Sequence, residues 1–183
     1  RMFDALDYVV RHENPDRAIK YVDGDYQPPN KGLPDDHCYN TWYPGHGCNL
    51  PKMERGGWQH IKQGWMFGCG EFGAEGLDFP DLMRHRYPPN WLEQTDGTWS
   101  PEQLETIRGG SQTWDKQPYW MEAGTTMEQW VTASQDHQKW GVGLTARAFR
   151  RMPRMNTFAV HLFIDAWPNG WLKSIVDCQR RPK

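Results

Sequence analysis

Apolar residues recur at three- and four-residue spacing through Met2, Phe3, Leu6, Val9 and Val10, with Arg1, Asp4, Asp7 and Arg11 between them. That period predicts an amphipathic helix. It ends near Asn14-Pro15, because proline disfavours helical geometry in the residue before it. Ala18 to Val22 then reads as a short strand closed by Asp23-Gly24-Asp25, and the proline- and glycine-rich run from Pro28 to Pro34 as loop. A second strand, HCYNTWY, lies within Leu33 to Tyr43 and stops at Pro44-Gly45. Lys52 to Gln63 has helical character interrupted by Gly56-Gly57, which lowers helix propensity.

The segment Trp65 to Asp78 breaks this rhythm. Trp65, Met66, Phe67 and Cys69 form an apolar run of strand length, and Glu71, Glu75 and Asp78 follow at once. Phe79 to Arg86 reads as a short helix and Tyr87-Pro88-Pro89-Asn90 as a turn. Ser100-Pro101-Glu102-Gln103 is a helix start, with serine at the N-cap and proline at the first helical position. A longer helix begins near Thr126, with Met127, Trp130, Val131, Ser134, Phe149 and Met152 on one face. It stops before Pro153, and Gly141 and Gly143 weaken its middle. Phe158 to Ile164 is a continuous apolar strand that ends in Asp165, Ala166, Trp167 and Pro168.

Helices alternating with fully apolar strands predict an α/β fold with parallel strands and helical crossovers. A complete (β/α)8 barrel takes about 250 residues, and only four strands are legible in 183. The expectation is therefore the C-terminal half of a (β/α)8 TIM barrel, strands 5 to 8 with their connecting helices, occupying residues 1–183 as part of a longer chain. Chemistry in such a sheet collects at the C-terminal ends of the strands. This directs attention to Glu71 first, and to His37, Tyr39, Asn40 and Trp42 at the end of the second strand. Asp165 and Trp167 end the last strand, and Asp23 and Asp25 end the first. Strict alternation puts His37 and Tyr39 on one face and Trp42 on the other. Glu75 and Asp78 are the nearest rivals to Glu71 but read more readily as solvated loop charges, and Asp165 reads equally well as a loop cap.

Composition sharpens this picture. Eleven tryptophans, with aromatics at 14%, accompany a mean hydropathy of −0.89. Aromatic rings in a polar chain suit the flat, apolar C–H faces of sugars. A formal charge of −2 gives no basis for nucleic acid or an anionic membrane as partner, and no apolar run approaches the ~18 residues of a membrane span. The four cysteines contain no CxxC pair, and His37, Cys38, His46 and Cys48 match no zinc spacing, so no metal or cofactor is expected. Unpaired cysteines give only a lean toward an intracellular compartment.

Three segments then stand together. Asn14-Pro15-Asp16-Arg17-Ala18-Ile19-Lys20-Tyr21 follows the first helix, and Glu71-Phe72-Gly73 ends the central strand. Asp165-Ala166-Trp167-Pro168, Trp171 and Arg181-Pro182-Lys183 close the chain. In this order they resemble the catalytic barrel of glycoside hydrolase family 2, the β-galactosidase, β-glucuronidase and β-mannosidase group, from the helix after its fourth strand to just past its eighth. The resemblance implies a retaining β-glycosidase, β-galactosidase-like by first choice, with Glu71 as nucleophile. It also implies a carbohydrate substrate held by His37, Tyr39, Asn40, Trp42, Asp165 and Trp167. Such an enzyme needs two carboxyl groups about 5–5.5 Å apart. The family's acid/base glutamate follows an asparagine before the opening helix, and no Asn-Glu pair occurs here. The proton donor is thus expected outside this chain, which alone would be inactive. A second departure is His161, where many members carry tryptophan. The alternative is a sugar-binding or scaffold protein that kept the aromatic mouth without catalysis.

Overall fold

The computed structural model describes residues 2–17, 19, 37–39, 41, 50–55, 67–94, 97–101, 125–165 and 174–183. Helix α1 spans Met2–Glu13 and α2 spans Leu50–Glu54. Strand β1 is Phe67–Phe72, followed by α3 at Pro80–Arg86 and a 3-10 turn at Pro89–Trp91. Helix α4 runs over Met127–Arg151 and leads into β2 at Met155–Val160. The strand expected at Ala18 to Val22 lies outside the described residues apart from Ile19, as does the helix expected after Pro101.

β1 and β2 pair in parallel, and Cys38 bridges to Phe72 in parallel from the other side. Three parallel segments therefore lie in the order Cys38, β1, β2. Cys38 N–H donates to the Glu71 carbonyl at 2.8 Å and His161 N–H to the Phe72 carbonyl at 2.9 Å. The last strand was expected over Phe158 to Ile164. It lies instead over Met155–Val160, and only an isolated bridge from Ile164 to Val176 continues beyond. The apolar run placed the strand too late, because its first turns carry Asn156 and Thr157 on exposed positions that read as polar loop.

Helix α4 is held at its start by a reciprocal capping box. The Thr126 hydroxyl accepts from Gln129 N–H, while the Gln129 side chain accepts from Thr126 N–H. The two glycines do not interrupt it. Gly141 is needed there, since a Cβ would sit 2.9 Å from the Thr41 side chain. The helix packs across α2, α3 and β2 and feeds two cores. One gathers Leu77, Met83, Tyr87, Trp99, Met127, Trp130 and Val131 around its N-terminal half. The other puts Phe149, Ala148 and Met152 against Cys38, Cys69 and Phe72.

Phe72, Phe149 and Phe158 form a triangle with ring centroids 5.4–5.8 Å apart, in which Phe72 meets the other two rings edge to face, the arrangement that aromatic quadrupoles favour, and Phe149 is tilted by 52° to Phe158. Phe149 is fully buried, and Phe149→Ala is expected to cost about 3–5 kcal/mol through lost transfer energy and the cavity left behind. Urea denaturation reads this directly, and an unchanged midpoint would show that the triangle does not hold α4 to the sheet.

Candidate active site

The helix-facing side of the sheet takes Cys38, Cys69 and Phe72. Period-two alternation would put Glu71 on that same side as Cys69. The register shows why it is not there. Cys69 pairs with Phe158 and Phe72 with Val160, so β1 spends three steps where β2 spends two. One extra residue in β1 is a bulge, which re-aims a side chain and is common beside active sites. The Glu71 side chain, 27% exposed, turns away from α4 toward the opposite face.

There it meets groups from both neighbouring segments. The Tyr39 hydroxyl donates to Glu71 Oε2. His37 Nδ1 lies 3.5 Å from the same oxygen, and His161 Nε2 lies 3.8 Å from it on the β2 side. His37 and Tyr39 also meet edge to face with centroids 5.6 Å apart. The alternation read from sequence puts His37 and Tyr39 on one side, and they share it around Glu71. In the sequence His161 stands out only for replacing a tryptophan, and the β2 register is what brings it to the carboxylate. Asn40, Trp42 and Trp167 lie outside the described residues, as do Asp23, Asp25, His46 and Cys48.

Asp165 has other partners. It is buried, and its Oδ2 lies 3.2 Å from Lys183 Nζ, which in turn lies 2.8 Å from Asp78 Oδ1 and 3.3 Å from the Gly76 carbonyl. Tyr87 donates to the other Asp78 oxygen at 2.6 Å. Asp165 therefore sits against the loop after β1, in an ion network with the last residue. Glu75 and Asp78, solvated loop charges by their sequence pattern, are both buried. The reason is that the whole run Phe72 to Asp78 is buried, although most of it has no regular secondary structure.

A buried loop of irregular backbone needs partners for its polar groups, and α4 supplies them. Ser134 Oγ accepts from Leu77 N–H at 3.0 Å, and Gln135 Nε2 donates to the Leu77 carbonyl at 2.8 Å. Gln138 Nε2 donates to the carbonyls of Ala74 and Ser174, at 2.9 and 3.0 Å. Ser134, Gln138 and Gly141 lie at helical spacing on the buried face of α4. Polar residues on a face otherwise apolar were the signal available in the sequence.

His137 Nε2 approaches the Thr41 carbonyl at 2.9 Å, so it must carry the proton and donate. Burial holds this imidazole below its ordinary pKa, with the bond to Thr41 opposing in part. The unfolded chain then takes up a proton before the folded one as pH falls. The stability this residue supplies is full above about pH 6.5, the unfolded value, and is lost as pH drops through the folded value. Chemical denaturation at stepped pH should show wild type losing more stability below that point than His137→Gln. Parallel curves would exclude the assignment.

Beyond the loop, Arg181 bonds Asp177 and Asp81 at 2.7 Å each and lies over the Phe79 ring. Its guanidinium holds the Asp81 carboxyl below the usual carboxylate range. Among the described residues no three histidine, cysteine or acidic side chains converge as a metal site, and no helix among them is long and apolar enough to cross a membrane.

No protein-family model matches the chain, and no curated protein sequence does. Among solved structures it is similar to part of a β-D-mannosidase from Dictyoglomus thermophilum, with a TM-score of 0.55 and 14% identity over 87% of this chain. The chain spans 18% of that protein's length. The fold is thus mixed α/β with parallel pairing, like that of a portion of a glycoside hydrolase.

Proposed function

We propose that this chain is the C-terminal half of the catalytic barrel of a retaining β-glycosidase, with Glu71 as nucleophile. The observation that carries the reading is the bulge in β1, which turns one carboxylate out of the core. At that face a tyrosine hydroxyl donates to it, and two histidines flank it. Glu71 attacks the anomeric carbon of a β-linked sugar. The bond to the leaving oxygen breaks, and that oxygen takes a proton from an acid outside these residues. Water, giving a proton back to the conjugate base of that acid, then attacks the glycosyl ester, releases the Glu71 carboxylate and leaves the sugar with its configuration retained. Tyr39 donates to one carboxylate oxygen and fixes the orientation of the other toward the sugar. The likeness to a portion of a β-D-mannosidase supports the fold this chemistry requires. Galactose is the first-choice sugar, on the resemblance of the sequence segments.

The test is covalent trapping in the full-length protein, both halves of the barrel present, with dinitrophenyl fluoroglycosides of galactose and mannose. Their leaving group departs without a proton donor, and the fluorine slows breakdown of the ester. A mass shift on the peptide carrying Glu71 is expected, faster with the galactose probe. Binding of both probes without an adduct would replace this reading with the sugar-binding module.

A further inference from the structure

Tyr39 and Glu71 belong to segments that, among the described residues, pair through the isolated bridge from Cys38 to Phe72, and the bulge removes a regular rung to β2 on the other side of the carboxylate's strand. Cys38 N–H tethers the two segments at the Glu71 carbonyl. Beyond the carboxylate a second tether is made by a side chain. Thr41 Oγ1 donates to the Gly73 carbonyl at 3.0 Å, with both partners two residues past the Tyr39–Glu71 contact. Tyr39 thus lies between one backbone tether and one hydroxyl tether.

Thr41 is itself seated from α4. His137 donates to its carbonyl at 2.9 Å, and the missing Cβ of Gly141 leaves the space its side chain occupies. Thr41 is 4% exposed, so water does not compete for the hydroxyl. We propose that Thr41 is a positioning residue for the Glu71 carboxylate, setting through Gly73 the place of Glu71 against the Tyr39 hydroxyl, with His137 and Gly141 as its seat. This rests on Glu71 being the nucleophile. A misplacement of about 1 Å in such a group costs about 100-fold in rate, which is why a tether of this kind matters to chemistry more than to binding.

The experiment is trapping of Glu71 in the full-length protein with the dinitrophenyl fluorogalactoside, read as a saturating rate and a half-saturating probe concentration. Thr41→Val is expected to lower the saturating rate by about 10- to 100-fold with the half-saturating concentration nearly unchanged. Thr41→Ser keeps the hydroxyl and should recover most of that rate. Gly141→Ala, which drives a Cβ into Thr41, should lose rate in the same manner. It decides the question by the same two readings if Thr41→Val does not fold. A wild-type saturating rate in Thr41→Val, a loss confined to affinity, or a Thr41→Ser as slow as Thr41→Val would overturn the proposal. A wild-type chain that binds probe and forms no adduct removes the nucleophile reading and this inference with it, and is distinguished from those results by being seen before any substitution.

Discussion

Glu71→Gln is expected to lower hydrolysis of an aryl β-glycoside by the full-length protein, proton donor included, at least about 10⁴-fold, the scale on which removal of a nucleophile is felt. The amide is nearly the shape of the carboxylate and still accepts from Tyr39, so packing is undisturbed. What is lost is the negative charge and the lone pair that attack the anomeric carbon. Tyr39→Phe removes one donor and should cost less, about 100- to 1,000-fold. A truncated variant separates this role from that of a proton donor. Glu71→Ala leaves a space beside the anomeric carbon, and added azide can enter and displace an activated leaving group from that face. The product is then a glycosyl azide of inverted configuration. Residual turnover within tenfold of wild type in Glu71→Gln, or a retained azide product, would remove Glu71 from the nucleophile's role.

An effect on stability as large as that of Phe149→Ala is expected from Lys183→Met. The Lys183 side chain is fully buried between the carboxylates of Asp78 and Asp165, themselves 2% and 3% exposed. Methionine keeps the apolar stem and deletes the charge, leaving two acidic groups facing one another without their cation. Breaking a buried pair by removing one partner costs about 3–5 kcal/mol. The double variant with Asp165→Asn should lose less than the two single losses added together, because one of the stranded carboxylates is gone. Urea denaturation of the four proteins measures the coupling. A Lys183→Met loss below about 1 kcal/mol, the range of an exposed pair, would show that the network does not hold the tail to the loop after β1.

Much of the local structure was legible. The helix spacing of Met2 to Val10, stopped by Pro15, gives α1 within two residues of its observed end, and the apolar face that opens at Met127 gives the start of α4. Phe79 to Arg86 likewise matches α3. These are decided by neighbours three or four residues apart, so a short window contains the cause. The sequence also brought His37, Tyr39 and Glu71 onto one list. It did so because aromatic and acidic residues at strand ends stand out against apolar runs.

Three things were not legible. Gly141 reads as a helix breaker, and only the approach of Thr41 shows it as the residue that lets a strand end meet the helix. Glu75 and Asp78 read as solvated charges, yet they are buried in a loop whose backbone is satisfied by Ser134, Gln135 and Gln138 about sixty residues away. His161 reads as a departure from an aromatic platform, and the register of β2 brings it to 3.8 Å from Glu71.

What the sequence by itself determined was where α1, α3 and α4 lie, that an apolar strand runs up to Phe72, and that an acid stands at its end. Which way that acid points was decided by tertiary structure alone. An unbroken strand alternates faces and would have turned Glu71 inward with Cys69. The single extra residue between Cys69 and Phe72, fixed by pairing with β2 and by the core's demand for both of those side chains, turns it outward to Tyr39. A bulge costs nothing visible in a local pattern, since its cause is the partner strand some ninety residues further along the chain.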